Sequence, residues 1–92
     1  MNAKRKGNRN EHRSIALLKA AGYACTRAVA SLGIFDIVSI GPSDVVLVQT
    51  KSNDWPRAVE MGSIRNFVCP PAARKLIHRW RDRQRQPDVK VV

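Results

Sequence analysis

The chain has 92 residues, of which 17 are Lys or Arg and 7 are Asp or Glu, giving a formal net charge of +10 at pH 7. This length supports one modest core and no second domain, and 43% apolar residues suffice to fill it, which excludes a chain disordered throughout. The apolar runs are far shorter than the ~20 residues that span a bilayer, and the basic start leads into no signal-peptide segment, so a soluble, cytoplasmic protein with no membrane partner is expected.

Residues 1–9 are polar, basic and Gly-containing and read as a flexible arm, leaving 10–92 as a single domain. From Asn10 onward Ile15, Leu17, Leu18 and Ala21 recur at helical spacing and Gly22 supplies a stop, which predicts a helix over 10–21. Tyr23 to Val29 alternates and is rich in β-formers, predicting a strand, and Ala30 to Gly33 reads as a loop. Two apolar runs, IFDIVSI at 34–40 and VVLVQTK at 45–51, flank Gly-Pro-Ser-Asp and predict a β-hairpin. Pro56 suits the first turn of a second helix ending near Asn66, and Pro70-Pro71 breaks the chain again. The stretch 74–81 fits a helix through Leu76 and Trp80. It also fits a strand in which Leu76, His78 and Trp80 share an inner face and alternate with Ile77, Arg79 and Arg81, the arginines pointing out to solvent. The strand is preferred, because three residues then pack together. Pro87 limits the tail. The order α-β-β-β-α-β describes an α+β domain built on a small mixed sheet flanked by helices.

The charge is unevenly placed. Lys4, Arg5, Lys6, Arg9 and Arg13 face only Glu11 near the start, and Arg74, Lys75, Arg79, Arg81, Arg83 and Arg85 face only Asp82 near the end. Between positions 28 and 73, three basic residues meet four acidic ones. Two basic segments around a near-neutral middle imply a polyanionic partner, since clustered Lys and Arg neutralise phosphates and release condensed counterions. The basic stretches lack the Trp/Phe/Leu face of an interfacial helix, which favours nucleic acid over anionic membrane.

Polar residues on faces that should be apolar point to chemistry. Helical spacing puts Glu11, Ile15, Leu18 and Gly22 on one stripe, so Glu11 is expected to face the sheet. Asp36 interrupts an otherwise apolar strand, where an unpaired carboxylate costs several kcal/mol, roughly, unless it is paired or binds a metal. If Ile40 faces Val45 across the turn, then Val38 faces Leu47, Asp36 faces Gln49 and Ile34 faces Lys51, which would gather Asp36, Gln49 and Lys51 on one face under Glu11. Two carboxylates, an amide oxygen, a backbone carbonyl at Thr50 and an ammonium suit magnesium-dependent phosphodiester hydrolysis: the oxygens hold a hard cation, and the lysine orients water or stabilises the transition state. A plain structural reading stands beside this one, with Asp36 and Lys51 a buried ion pair and Glu11 a first-turn acid.

Glu11 on the first helix, the Ser31-Leu32-Gly33 loop leading to Asp36, and Val48-Gln49-Thr50-Lys51 ending the next strand resemble the PD-(D/E)XK nuclease core. Within that superfamily the likeness is to small Holliday-junction resolvases and related phage or bacterial nucleases, over about residues 4 to 52. The Trp55-Pro56 to Glu60 segment and the stretch His78 to Asp82 are similar too, less specifically. The resemblance implies a restriction-endonuclease-like fold and a structure-selective DNA endonuclease that uses Mg2+, with Mn2+ as substitute, and no small-molecule cofactor. Asp36 would be the central metal ligand, Glu11 a further or water-mediated ligand, Lys51 the catalytic lysine, and Ser31 part of a loop approaching the DNA backbone. Gln49 departs from the pattern, because it stands where the family carries a second acid and offers an oxygen without charge. One active site per chain and two nicks per four-way junction imply a homodimer.

The remaining signals are structural first. Trp55 and Trp80 read as packing residues with base stacking as the alternative, His12 and His78 as structural histidines, and Cys25 and Cys69, without CxxC spacing, as reduced core residues. Arg79 and Arg81 join the basic arm as candidate nucleic-acid contacts, Arg83 and Arg85 read as solvated, and Asp44 and Asp54 belong to turns. The competing function is a non-catalytic nucleic-acid-binding protein that keeps the fold, for which Gln49 is the signal. A small basic ribosomal or transcription-complex protein would leave the inward acids unexplained.

Overall fold

The computed structural model describes residues 3–28 and 34–92, with side chains from residue 8 onward. Helix α1 (Ala3–Ala20) ends where the sequence predicts. Gly22, at φ 97°, lets the Tyr23 N–H reach the Leu18 carbonyl (3.1 Å) and its own N–H reach that of Lys19 (3.0 Å), a Schellman closure. The start differs from expectation, since the backbone is helical from Ala3 and most of the residues read as a flexible arm form the first turns of α1. Ala, Lys and Arg are good helix formers, and extending a helix that is already packed is far easier than nucleating one.

Five strands, among the described residues, form one sheet in the spatial order β1 (Ala24–Arg27), β2 (Ile37–Ile40), β3 (Val45–Ser52), β4 (Ala73–Trp80) and β5 (Asp88–Val91). Neighbours are antiparallel except β3 and β4, which are parallel and joined through helix α2 (Ala58–Asn66). The hairpin register is the one the four-residue turn requires, with Ile40 opposite Val45 and Val38 opposite Leu47. Gly41 is needed there because a Cβ would lie 2.7 Å from the Tyr23 ring. The preferred strand at 74–81 is present as β4, but Ile77 does not face solvent. It is fully buried under α2, on the face that it shares with Arg79. Strand β5 was not anticipated, since Pro87 read only as limiting the tail. It adds an edge strand whose Asp88 and Lys90 interrupt its apolar residues.

Each face of the sheet carries one helix and one apolar cluster. Leu18 of α1 packs on Ile37, Val46, Val48 and Leu76, while Met61 and Ile64 of α2 pack with Phe35, Leu47 and Ile77. Each such side chain, fully buried, contributes about 1.5–3 kcal/mol. Phe35 meets Phe67 edge to face at 5.1 Å. Lys75 closes the end of α2 by donating from Nζ to the carbonyls of Ile64 (2.7 Å), Arg65 (2.8 Å) and Phe67 (3.2 Å), where a cation also complements the helix dipole. Among the described residues, no helix is long and apolar enough to cross a membrane.

The α1 face continues as a polar seam. The buried stripe is Asn10, Ser14 and Leu18, rotated by one residue from the expected Glu11, Ile15 and Leu18, because two of its members are polar and escape apolar counting. Asn10 donates to Ser52 Oγ at 2.7 Å. The Trp80 indole N–H donates to Ser14 Oγ at 2.8 Å, and that hydroxyl lies 2.9 Å from His78 Nδ1. An indole only donates, so the Ser14 proton is available to Nδ1, which suits a neutral imidazole protonated at Nε2. Burial lowers the His78 pKa from 6.5 to about 4.

Above pH 6.5 His78 is neutral folded and unfolded and contributes no pH dependence. Below it the unfolded chain takes up a proton that the folded one refuses, so about 3 kcal/mol of stability is lost as pH falls from 6.5 to 4. His78→Asn removes this titration. In urea unfolding at a series of pH values, the stability advantage of the wild type over the variant should shrink by about 3 kcal/mol between pH 7 and pH 4. A constant difference would contradict the assignment.

Candidate functional site

The hairpin ladder ends at Ile37 opposite Val48, and the chain bends at Asp36, so β2 peels away from β3 just where the candidate residues begin. Asp36 therefore does not face Gln49 in a continued ladder, and Ile34 does not face Lys51. The Asp36 N–H still donates to the Val48 carbonyl (2.8 Å), but its carboxylate turns to β3 in the strand's place. Asp36 Oδ2 accepts from the Thr50 backbone N–H (2.8 Å) and from Thr50 Oγ1 (3.0 Å). A side chain thus satisfies the amide that a continued β2 would have paired, and Oδ1 makes no hydrogen bond to the described residues.

Alternation along β3 separates the other groups. Val46, Val48, Thr50 and Ser52 face α1, whereas Leu47, Gln49 and Lys51 face α2, where Lys51 Nζ lies 3.2 Å from Glu60 Oε1. The single face on which Asp36, Gln49 and Lys51 were to converge is replaced by a fork, with Asp36 between the splayed strands and Gln49 and Lys51 on the α2 side. Gln49 is 8% exposed, and its Oε1 is the one fully buried side-chain oxygen or nitrogen among the described residues without a hydrogen-bond partner. A buried amide oxygen without a donor costs about 1–3 kcal/mol, so it is a place where a ligand would be welcome.

Glu11 lies on the opposite, α1 side of the sheet. Its carboxylate, 17% exposed, pairs with Arg27 of β1 at 3.2 Å, and Arg27 is held further by Asn8 at 2.8 Å. Arg27 sits opposite Ile37, one residue from Asp36, so Glu11 reaches the neighbourhood of the fork through an arginine that balances its charge. The sequence reading missed Arg27, because nothing local marks a strand arginine as the partner of a helix glutamate.

The basic candidates divide. Lys4, Arg5 and Lys6 lie in the first turns of α1, and Arg9 is exposed on the same helix. Arg13 stacks on Trp80 at 4.0 Å and donates to the Gln84 carbonyl. Arg79 donates to Asp88 (2.6 and 3.0 Å) and covers Trp55 at 4.3 Å, and Arg81 pairs with Asp88 at 3.1 Å. Ser31 lies outside the described residues. Trp80, 2% exposed, is a packing residue unable to stack on a base, whereas half-buried Trp55 lines a cleft of about 780 Å3 between the end of β3 and α2 with Thr50, Lys51, Arg57 and Glu60.

Among the described residues no three His, Cys, Asp or Glu side chains gather into a metal-binding cluster. A cation at the fork would instead draw on mixed oxygens, Asp36 Oδ1, Gln49 Oε1 and the Thr50 carbonyl, whereas Glu11 is held on the other side of the sheet by Arg27. That donor set contains oxygen alone and suits a hard divalent ion, and the orphaned Gln49 oxygen fits such a role.

Asp36 has a structural duty independent of any ion. Asp36→Ala should cost about 1–2 kcal/mol by leaving the half-buried Thr50 N–H unpaired, whereas Asp36→Asn, which keeps an acceptor oxygen, should cost less than about 1 kcal/mol. Denaturant unfolding measures the difference, and faster hydrogen exchange at the Thr50 amide in the alanine variant alone would locate it.

No protein-family model matches the chain, and no curated protein does. Among solved structures it is similar to Hjc, a Holliday junction resolvase of the archaeal hyperthermophile Archaeoglobus fulgidus, with a TM-score of 0.68 and 24% sequence identity over 86% of this chain and 67% of that one. The α+β sheet with its two helices therefore has the restriction-endonuclease-like fold of that resolvase.

Proposed function

We propose that the protein is a metal-dependent endonuclease that hydrolyses phosphodiester bonds in branched DNA, working as a homodimer with Mg2+, or Mn2+ in its place. The observation that carries this reading is the fork itself, where Asp36 is pinned to Thr50, whose neighbours along β3 are Gln49, with its unpartnered oxygen, and Lys51. The fold shared with a Holliday junction resolvase and the basic first helix support it.

Asp36, Gln49 and the Thr50 carbonyl would hold the cation, and Glu11 would assist only by releasing Arg27. When bound, it would lower the pKa of a coordinated water and offset charge on the phosphate. The Nζ donors of Lys51 stabilise the negative charge that develops on the phosphate oxygens. Lys4, Arg5, Lys6 and Arg9 attract and orient the DNA backbone without reading sequence. Gln49 in place of an acid lowers the negative charge of the donor set, so the cation would bind more weakly than in a two-carboxylate site.

A second reading, a DNA-binding protein that keeps the fold without turnover, draws on Gln49 and on the pairing of Glu11 with Arg27. A labelled four-way junction incubated with Mg2+ separates the two. The nuclease reading expects symmetric nicks, lost at least about 100-fold in Asp36→Asn and Lys51→Met, with junction binding retained in Ca2+. Binding without cleavage in either Mg2+ or Mn2+, or cleavage unchanged in Asp36→Asn, would favour the alternative.

A further inference from the structure

The register across the sheet creates a charge problem that the sequence does not show. On the α2 face, Lys51 of β3 lies directly beside Arg79 of β4, and Arg79 lies beside Asp88 of β5. Neighbouring strands are about 4.8 Å apart, so two cations stand side by side. Asp88 cannot serve both, since it already accepts from Arg79 and Arg81, and Arg79 is covered by the Trp55 ring. The residue two before Lys51 on the same face is Gln49, which brings no charge. The acid that answers Lys51 comes from another element altogether: Glu60, in the first turn of α2, reaches across the cleft to within 3.2 Å of the ammonium.

We propose that Glu60 is a positioning residue of the candidate site, supplying from α2 the carboxylate that β3 lacks at position 49 and holding the Lys51 ammonium at the mouth of the cleft. This inference rests on the reading of Lys51 as a group that meets the phosphate. Both partners are part-exposed, with side chains 30% and 36% accessible, and such a pair adds little to stability. Its effect is geometric. A lysine has a long stem and many rotamers, and an anchored ammonium is presented in one place. The anchor is also accessible, so a phosphate approaching along the cleft meets an ammonium already oriented.

The test compares wild type with Glu60→Gln and Glu60→Asp. Nitrogen-15 relaxation of the Lys51 side-chain ammonium, without DNA or metal, should show restricted motion in the wild type. In Glu60→Gln it should show motion as free as that of exposed Lys19, with Glu60→Asp in between. In junction cleavage with Mg2+, Glu60→Gln should lower kcat about tenfold with KM changed less than about twofold, Glu60→Asp should recover part of the loss, and Glu60→Gln should add nothing in a Lys51→Met background. A merely structural role would lower the melting temperature and leave Lys51 order and kcat unchanged. Equal Lys51 mobility in all three proteins, full kcat in Glu60→Gln, or multiplicative losses with Lys51→Met would overturn the inference while the nuclease reading stood. A wild type that cuts no branched or duplex DNA would overturn that reading and the inference with it.

Discussion

A parallel pair of strands cannot be closed by a tight turn, and the parallel pairing of β3 with β4 dictates much of what surrounds it. The chain must leave one end of β3 and return to the other end of β4, and α2 makes that crossing over one face of the sheet. With α2 there, both faces of β3 and β4 are buried, which is why Val46, Leu47, Val48, Leu76 and Ile77 form a nearly unbroken apolar band instead of alternating with polar residues. On β3 polar groups then appear only toward the C-terminal end, at Gln49, Thr50, Lys51 and Ser52, and His78 and Arg79 of β4 lie opposite Thr50 and Lys51. The same crossing brings Glu60 over Lys51, so the electrostatics of that strand end follow from topology.

What the sequence disclosed depended on whether the deciding interaction was local. The hairpin register was readable because a four-residue turn and two apolar runs leave one way to align, and the end of α1 was readable because Gly22 meets a backbone requirement that few residues satisfy. The stripe of α1 was misplaced by one residue because Asn10 and Ser14 are buried through hydrogen bonds to Ser52, His78 and Trp80, far along the chain. Strand β5 was missed for a similar reason. A segment of four residues has little propensity of its own and is held by Asp88 against Arg79 and by the open edge of β4.

The candidate site shows the same division. That Asp36, Gln49 and Lys51 interrupt or end apolar strands was evident from the residue pattern, and the family resemblance marked position 49 as one where an acid is usual. Their arrangement was not, because extrapolating a ladder assumes that the strands stay paired. They separate at Asp36, and the carboxylate replaces the lost backbone partner of Thr50. Arg27 and Glu60, which balance Glu11 and Lys51, are 16 and 9 residues from their partners, and no periodicity connects them.

The cap that Lys75 places on α2 alters how the basic C-terminal run should be counted. An ammonium donating to three carbonyls is turned into the protein body, and Arg74, Arg79 and Arg81 are likewise committed to Asp44, Tyr23 and Asp88. Of the six cations that make this run so basic, Arg83 and Arg85 remain as exposed side chains without such commitments in the body of the sheet. Counterion release depends on the charges that reach phosphate. The ionic-strength dependence of any polyanion binding would therefore be shallower than a net charge of +10 suggests.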